Sequence, residues 1–234
     1  MSTSEIICPW IVPRAPKRLL ALFDSTLEPE NFRTRGFIQT ESEKPLCVRR
    51  IETGLLSQGV TNYRLNKPLA MNLYPAGSIQ GIINLFTSEP APRVVRAVKP
   101  TRLKSLPRPN FREALLNDQE LFLEYACYSE IVAKSELIGM EALFTLTLPE
   151  RFLLFCAASL LHSGVNPLES SEDFLKLPMQ LSRSTLLNII YTTKAPLDRL
   201  LAATAREGTL ERREDLRFIR RKDLLLMSEW ILSR

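Results

Sequence analysis

The stretch that decides the fold is Leu177–Leu225, with the sequence LPMQLSRSTLLNIIYTTKAPLDRLLAATAREGTLERREDLRFIRRKDLL. Ser182 is a good N-cap, and the apolar residues after it predict a first helix over Arg183–Tyr191. A tight polar turn then leads into a second predicted helix, Lys194 to about Glu207, which Gly208 ends. Two short basic strands follow, so the pattern predicts two helices and a β-hairpin.

This order of elements is typical of a winged helix-turn-helix, which places its second helix in the major groove of DNA. Lys and Arg near the start of that helix suit the acceptor edge of guanine, and a basic wing neutralises phosphates. Residues 178–234 hold 11 basic and 7 acidic side chains, a net charge of +4 out of +5 for the chain. The candidate DNA-binding residues are Thr193, Lys194, Ala195, Asp198 and Arg199 of the second helix and Arg212, Arg213, Arg217 and Arg220 of the wing.

The same pattern also fits a solvated helical element with a charged hairpin that binds a protein or nothing at all. Tyr191 stands where a tight turn often has glycine, which makes the motif less specific. The pattern alone leaves both interpretations open.

Composition excludes several classes of function. The chain has 234 residues, which favours two domains, and its 45% hydrophobic content allows a sizeable core. Its four cysteines form no C-x-x-C pair, and its single histidine, His162, has no partner spaced for a metal site or a catalytic triad. No apolar run approaches the roughly 20 residues that span a bilayer, and the first residues lack the charged-then-apolar pattern of a signal peptide. We expect a cytoplasmic protein that is not an enzyme, binds no membrane, and needs no metal or cofactor.

The rest of the chain divides into strands and helices. From Gly36 to about Pro107, short apolar or alternating segments separated by turn residues predict a β-sandwich or barrel. Asp118 can cap a long helix that runs to about Phe144. Its apolar stripe must pack either on its own domain or against a second copy of the chain. The residues predicted for the dimer contact are Leu121, Tyr128, Ile131, Val132, Ser135 and Ile138.

Over nearly its whole length the sequence resembles the Crp/Fnr family of bacterial transcription regulators. GFIQTESEKPLCVRRIETGLLSQG (36–59) and RAVKPTRLKSLPRPNF (96–111) are similar to strands of the family's roll, and YPAGSIQGIINLF (74–86) to its Pro-Gly, Gly and Leu-Phe segment. TTKAPLDRLLAATAREGTL (192–210) is similar to the family's recognition helix, with Arg199 and Glu207-Gly208 in matching positions.

The resemblance implies an α+β chain with three parts. These are an N-terminal β-roll of the cyclic-nucleotide-binding type (1–117), a long dimerisation helix (118–145) and a C-terminal winged helix-turn-helix (146–234). It also implies a homodimer that binds double-stranded DNA, and it makes RNA polymerase a candidate partner.

Departures from the family pattern predict that the effector site is degenerate. Members that bind cyclic AMP have a glutamate after the second glycine, for the ribose hydroxyl, and an arginine–serine pair for the phosphate. This chain has Ile82, Ala91 and Pro92 at those places, and Arg93 would need a shift in register. The segment considered as the degenerate cassette is thus Gly77, Gly81, Ile82, Ala91, Pro92 and Arg93.

Three consequences for function follow from these departures. We expect no response to cyclic AMP, and the effector is unknown. An iron–sulfur cluster of the oxygen-sensing type is not expected, because only Cys8 lies in the relevant region. Lys194 and Ala195 replace the family's common Arg-Glu pair, so the operator should differ from the common family site.

Two hypotheses from different classes therefore remain. The first is a homodimeric, sequence-specific DNA-binding regulator with a degenerate effector domain. The second is a winged-helix module that binds a protein partner and carries a structural roll.

Overall fold

The computed structural model describes residues 6–24, 28–40, 46–62, 67–87, 93–214 and 216–234. The chain forms two compact units, Val12–Lys134 and a second unit that joins Met1–Ile11 to Ser135–Arg234. This division differs from the expected boundaries at 117 and 145. It falls within the long helix, and the start of the chain belongs to the C-terminal unit.

The first unit is a roll of two four-stranded antiparallel sheets, with strand orders β1-β8-β3-β6 and β2-β7-β4-β5. Apolar side chains from both sheets share one buried cluster, to which β3 contributes Val48 and Ile51 and β4 contributes Leu56. The elements are α1 Lys17–Ala21, β1 Glu30–Phe32, β2 Phe37–Gln39, β3 Cys47–Thr53, β4 Leu55–Asn62, β5 Lys67–Pro75, β6 Ile79–Gln80, β7 Val94–Ala97, β8 Thr101–Pro107 and α2 Arg108–Leu116.

The tight connection between β3 and β4 depends on Gly54. Its φ is +94°, and a Cβ there would lie 2.3 Å from the carbonyl oxygen of Pro100. Only glycine fits both conditions. This turn lies within the segment 36–59, which resembles strands of the Crp/Fnr roll.

The long helix α3 covers Gln119–Thr145, close to the predicted range. The Asp118 Oδ1 accepts a hydrogen bond from the Leu121 backbone N–H at 2.9 Å, so the predicted cap is present. That hydrogen bond is the main cause of the lowered pKa of Asp118.

The second unit is a winged helix-turn-helix, as predicted. A three-stranded sheet of order β10-β11-β9 forms the wing and its base. The N-terminal end of α4 carries a capping box between Thr147 and Glu150. The elements after α3 are α4 Leu148–His162, β9 Phe174–Lys176, α5 Arg183–Ile189, α6 Lys194–Arg206, β10 Leu210–Arg213, β11 Leu216–Arg220, a 3-10 turn over Arg221–Leu224 and α7 Leu225–Leu232.

Residues 6–11, near the start of the chain, belong to this second unit. Trp10 is buried with φ +62°, and its backbone N–H bonds to the Ser135 carbonyl. Its indole lies against Gly139 of α3, where a Cβ would be 2.5 Å from the ring. Burial raises the pKa of the neighbouring Cys8 thiol to about 12, so Cys8 lacks the thiolate character of a reactive cysteine.

Candidate nucleic-acid interface

The two helices of the motif are held by a cap and by an unusual turn. Ser182 Oγ accepts a hydrogen bond from the Thr185 backbone N–H at 3.2 Å, which confirms the predicted cap. The first helix ends at Ile189, two residues earlier than predicted, because Tyr191 adopts a left-handed conformation with φ +50°. Its carbonyl accepts from the Arg151 guanidinium at 3.3 Å, which fixes the turn.

The second helix, α6, has one buried face and one exposed face. Leu197 and Leu200 are buried, whereas Lys194, Ala195 and Arg199 are exposed near the N-terminus. Thr193 occupies the N-cap position, but its side chain makes no capping bond. The first turn of α6 therefore presents the free backbone N–H groups of Lys194 and Ala195 together with the Lys194 side chain, and Arg199 follows in the second turn.

Asp198 is the only carboxylate within residues 194–200, and it is paired. The Arg183 guanidinium of α5 donates to Asp198 Oδ1 at 3.0 Å. The prediction placed Asp198 among the contact residues. In the structure its charge is balanced by α5, so the exposed face of α6 has a positive balance at this end.

Two of the four predicted wing arginines, Arg217 and Arg220, form hydrogen bonds within the C-terminal unit. Arg220 bonds to Asp223 at 2.7 and 3.2 Å and to the Glu207 carbonyl at 3.2 Å. Hydrogen bonding to Asp223 is the first cause of the raised pKa of Arg220. Arg217 is half-buried and donates to the Leu181 carbonyl at 3.3 Å.

The other two wing arginines are more exposed. Arg213 stacks over the Phe218 ring, 4.7 Å from its centroid, and pairs with Glu211 at 2.9 Å. Arg212 donates through Nε to the Glu214 carbonyl at 3.0 Å, a contact within the hairpin turn. Because they lie at the exposed tip of the hairpin, Arg212 and Arg213 are the wing cations best placed to meet an external anion.

The roll segment predicted as a degenerate cassette is closed by apolar packing. Gly77 and Gly81 both have positive φ, and a Cβ on Gly81 would lie 2.7 Å from the Cys47 carbonyl oxygen. Ile82 is only 4% exposed and belongs to the apolar core of the roll. Ala91 and Pro92 lie outside the described residues, and Arg93 is half-buried.

The residues predicted for the dimer contact lie on the inner face of α3, so that prediction needs correction. Within the single chain the structure buries Leu121, Tyr128, Val132, Ser135 and Ile138, and it half-buries Ile131. The prediction chose the more apolar stripe, which packs within the chain. The opposite face exposes a second series at alternating spacings of three and four residues, namely Leu123, Ala126, Glu130, Ala133, Leu137, Met140 and Phe144.

The described ranges contain neither a helix that could span a membrane nor a cluster of metal-ligating side chains. In those ranges no helix is both long and apolar enough to cross a membrane. Nor do the same ranges bring together three or more His, Cys, Asp or Glu side chains that could hold a metal ion.

Comparison with known proteins gives matches in structure and none in sequence. No protein-family model matches the chain, and no curated protein matches it. FixK2 from Bradyrhizobium japonicum is 17% identical with a TM-score of 0.69, covering 85% of this chain and 96% of its own. A variant of CooA from Carboxydothermus hydrogenoformans is 17% identical with a TM-score of 0.70, covering 94% and 99%.

A third similar structure is a transcriptional regulator of the CRP/FNR family from Thermus thermophilus. It is 20% identical with a TM-score of 0.61, and the alignment covers 86% of this chain and 98% of that one. At these identities the likeness concerns the fold. With its roll, long helix and winged helix-turn-helix in the same order, this chain has a Crp/Fnr-type fold.

Proposed function

We propose that this protein is a homodimeric transcription regulator that binds DNA in a sequence-specific manner through α6. The observation that carries the proposal is the N-terminal end of α6. Lys194 and Arg199 are exposed there, and the only nearby carboxylate in the helix, Asp198, is already paired with Arg183. The solved structures with the same fold include transcription regulators, which supports this role.

The exposed residues of α6 suit direct reading of bases. Lys194 and Arg199 can donate to O6 and N7 of guanine, and the Ala195 methyl group can contact the methyl group of thymine. Each good contact of this kind is worth about 1–3 kcal/mol of discrimination against the wrong base. The proposed readout therefore prefers guanine opposite the two cations.

Phosphate contacts would come from groups around α6. Arg212 and Arg213 lie exposed on the wing, and the first turn of α6 offers free backbone N–H groups. Such contacts release counterions, so binding should weaken steeply with salt.

The dimer contact is proposed for the exposed face of α3. The spacing of Leu123, Ala126, Glu130, Ala133, Leu137, Met140 and Phe144 is that of the a and d positions of a coiled coil. Phe144 is 83% exposed and Leu137 is 63% exposed, which is a large apolar area for a solvated helix. A parallel pair of such helices would present two copies of α6 to one DNA duplex.

We also propose that cyclic AMP is not the effector. The buried Ile82 side chain cannot accept a hydrogen bond from a ribose hydroxyl. RNA polymerase stays a candidate partner at promoters, on the basis of the family resemblance.

Single substitutions on α6 test the proposal. Lys194→Ala and Arg199→Ala should each weaken binding to a duplex selected by the wild-type protein by about 5- to 150-fold, because each removes a base contact. Arg206→Ala is the matched control, since Arg206 is an exposed cation at the opposite end of the same helix. Equilibrium binding by fluorescence anisotropy and thermal unfolding would be measured for all three variants.

The Arg206→Ala control distinguishes a loss of positive charge anywhere on α6 from a loss at its N-terminal end. If Arg206→Ala weakens binding as much as the other two variants, α6 contributes only general positive charge and base reading is contradicted. If the wild-type protein selects no duplex and instead captures a protein through the same face, the interaction-module hypothesis replaces this one.

A further inference from the structure

Arg108, the first residue of α2, holds the segment 81–84 of the roll, which lies far from it in sequence. Its side chain is only 9% exposed. Its guanidinium donates to the carbonyl oxygens of Gly81 and Ile83, in each case at 3.3 Å, and also to that of Asn84. One side chain from α2 thus binds three carbonyls of the segment 81–84.

The loop 81–84 has a backbone that needs such support. Gly81 has φ +92° and Asn84 has φ +55°, so two of its four residues are left-handed. The remaining carbonyl, that of Ile82, accepts from the Tyr125 hydroxyl of α3 at 3.3 Å. All four consecutive carbonyls therefore receive hydrogen bonds from side chains of α2 and α3. Buried carbonyls left without such donors would be costly.

Arg108 is bound by carbonyls alone. Among the described residues no carboxylate pairs with it, and burial is the first cause of the lowered pKa of its guanidinium. A guanidinium stays charged inside a protein, so it needs acceptors wherever it is buried. The loop supplies those acceptors, which means that the loop and Arg108 hold each other in place.

The same loop is joined to the inner face of α3 on both sides of the carbonyl cluster. The Tyr128 hydroxyl accepts from the Ile79 N–H at 3.0 Å. The Phe86 ring packs at 5.8 Å from the rings of both Phe122 and Tyr125. The opposite face of α3 is the one proposed for the dimer contact, so the loop lies directly behind that surface.

We propose that the Arg108 side chain takes the place of a bound small molecule in the roll. It fixes loop 81–84 against α2 and α3, so that α3 is ready to pair with a second copy when no small molecule is bound. The consequence for DNA rests on the proposed function, since a dimer held in this way would bind its operator constitutively. The role of Arg108 is that of a positioning residue.

The test compares Arg108→Met with Arg112→Met, which removes an exposed arginine from the same helix. The Arg112 guanidinium lies 5.6 Å from the centroid of the Phe86 ring, but within the described residues it makes no hydrogen bond to the loop carbonyls. Three readouts apply to the full-length protein. They are hydrogen exchange at the Leu85 and Thr87 amides, which bond to carbonyls of this loop, the dimer dissociation constant from sedimentation, and affinity for a selected duplex.

We expect Arg108→Met to speed exchange at the two amides by at least about tenfold, the loss that follows when a charged donor to buried carbonyls is removed. Dimer dissociation and DNA dissociation constants should rise by a similar factor. Arg112→Met should change each by less than about twofold. Arg108→Lys keeps the charge but not the fork of donors, and should fall between the two. If Arg108→Met does not fold, Arg108→Lys and Tyr125→Phe decide, with smaller losses expected from both.

Three results would overturn the proposal. The first is a folded Arg108 variant with unchanged dimerisation and loop exchange. The second is faster loop exchange with no change in dimerisation. The third is a wild-type protein that dimerises only after cyclic nucleotide or another small molecule is added. If the wild-type protein selects no DNA, the proposed function fails, while exchange and sedimentation still decide the role of Arg108.

Discussion

The N-terminal end of α6 and the loop 81–84 of the roll differ in how their polar groups are satisfied. On α6, Lys194 and Arg199 are exposed, and no hydrogen bond or ion pair involves them within the described residues. In the loop, four carbonyls receive donors from Arg108 and Tyr125, and Ile82 fills the space beside them. The first site is open to a partner, whereas the second is closed on itself.

The difference indicates that α6 can bind an external partner, whereas the loop 81–84 has few polar groups left for a small-molecule ligand. A site that reads DNA must keep its donors free until the partner arrives. A site whose donors and acceptors already match inside the chain has little left to offer a polar ligand. In the wing, Arg212 and Arg213 are exposed although each bonds within the hairpin, whereas Arg217 and Arg220 are less exposed and bond to residues outside it.

The largest effect is expected at the second open surface, the exposed face of α3. Replacing Leu137 and Phe144 together by Glu should convert the proposed dimer to a monomer, because like charges would meet across the seam at two positions one heptad apart. Losing the second DNA-binding unit should lower affinity for a two-site duplex by about 100-fold or more. Sedimentation and anisotropy would measure the two effects.

Both side chains are exposed in the single chain, so the variant should keep its circular dichroism spectrum. Ala133→Gln on the same face serves as a milder comparison. A double variant that stays dimeric would show that the seam lies elsewhere.

The closed packing of the loop 81–84 can be tested by replacing Ile82 with the glutamate that family members use to bind cyclic AMP. Ile82→Glu should cost about 2–4 kcal/mol of unfolding free energy at pH 7, because a carboxylate would replace a buried apolar side chain. It should not create cyclic AMP binding. Denaturant unfolding and calorimetric titration are the measurements.

The pH dependence of this variant has a definite sign. Burial would raise the pKa of the new carboxyl above its unfolded value of about 4.3, so the penalty is largest above the folded pKa. The loss should shrink as pH falls through that pKa toward the unfolded one. Ile82→Gln, which cannot ionise, should lose stability with no such trend. A variant that binds cyclic AMP and is stabilised by it would contradict the closed site.

The smallest effect is expected at the turn between α5 and α6. Tyr191→Gly should stabilise the protein by about 1 kcal/mol or less, because glycine adopts the left-handed conformation at φ +50° without strain. Half of the tyrosine side chain is exposed, so little packing is lost. The midpoint of thermal unfolding should rise slightly and DNA affinity should not change. A fall in stability would mean that the ring packs more tightly than its exposure suggests.

Much of the fold follows from local signals in the sequence. Ser182 and Asp118 cap the helices that they were predicted to cap. Such signals involve residues a few positions apart, so a single sequence is enough to find them. The order of these elements was also enough to indicate the Crp/Fnr-type fold.

The parts that sequence did not reveal depend on contacts between distant residues. Periodicity showed that α3 has an apolar stripe, but not that a second exposed stripe lies opposite. Nothing near Arg108 in sequence points to the Ile83 carbonyl, 25 positions away, and nothing near Arg220 marks it as internal except the Asp223 that binds it. The need for glycine at position 139 becomes clear only from the structure, in which the Trp10 ring lies 2.5 Å from where a Cβ would be.

The central claim is that two copies of α6 read DNA with Lys194 and Arg199. The most direct measurement is selection of duplexes from a random pool by the wild-type protein, followed by footprinting of the selected sequence. We expect a partly palindromic site with half-sites about one helical turn apart, guanines within each half, and loss of the footprint in the Lys194→Ala, Arg199→Ala double variant. No enrichment of any sequence, or a footprint that the double variant leaves unchanged, would contradict it.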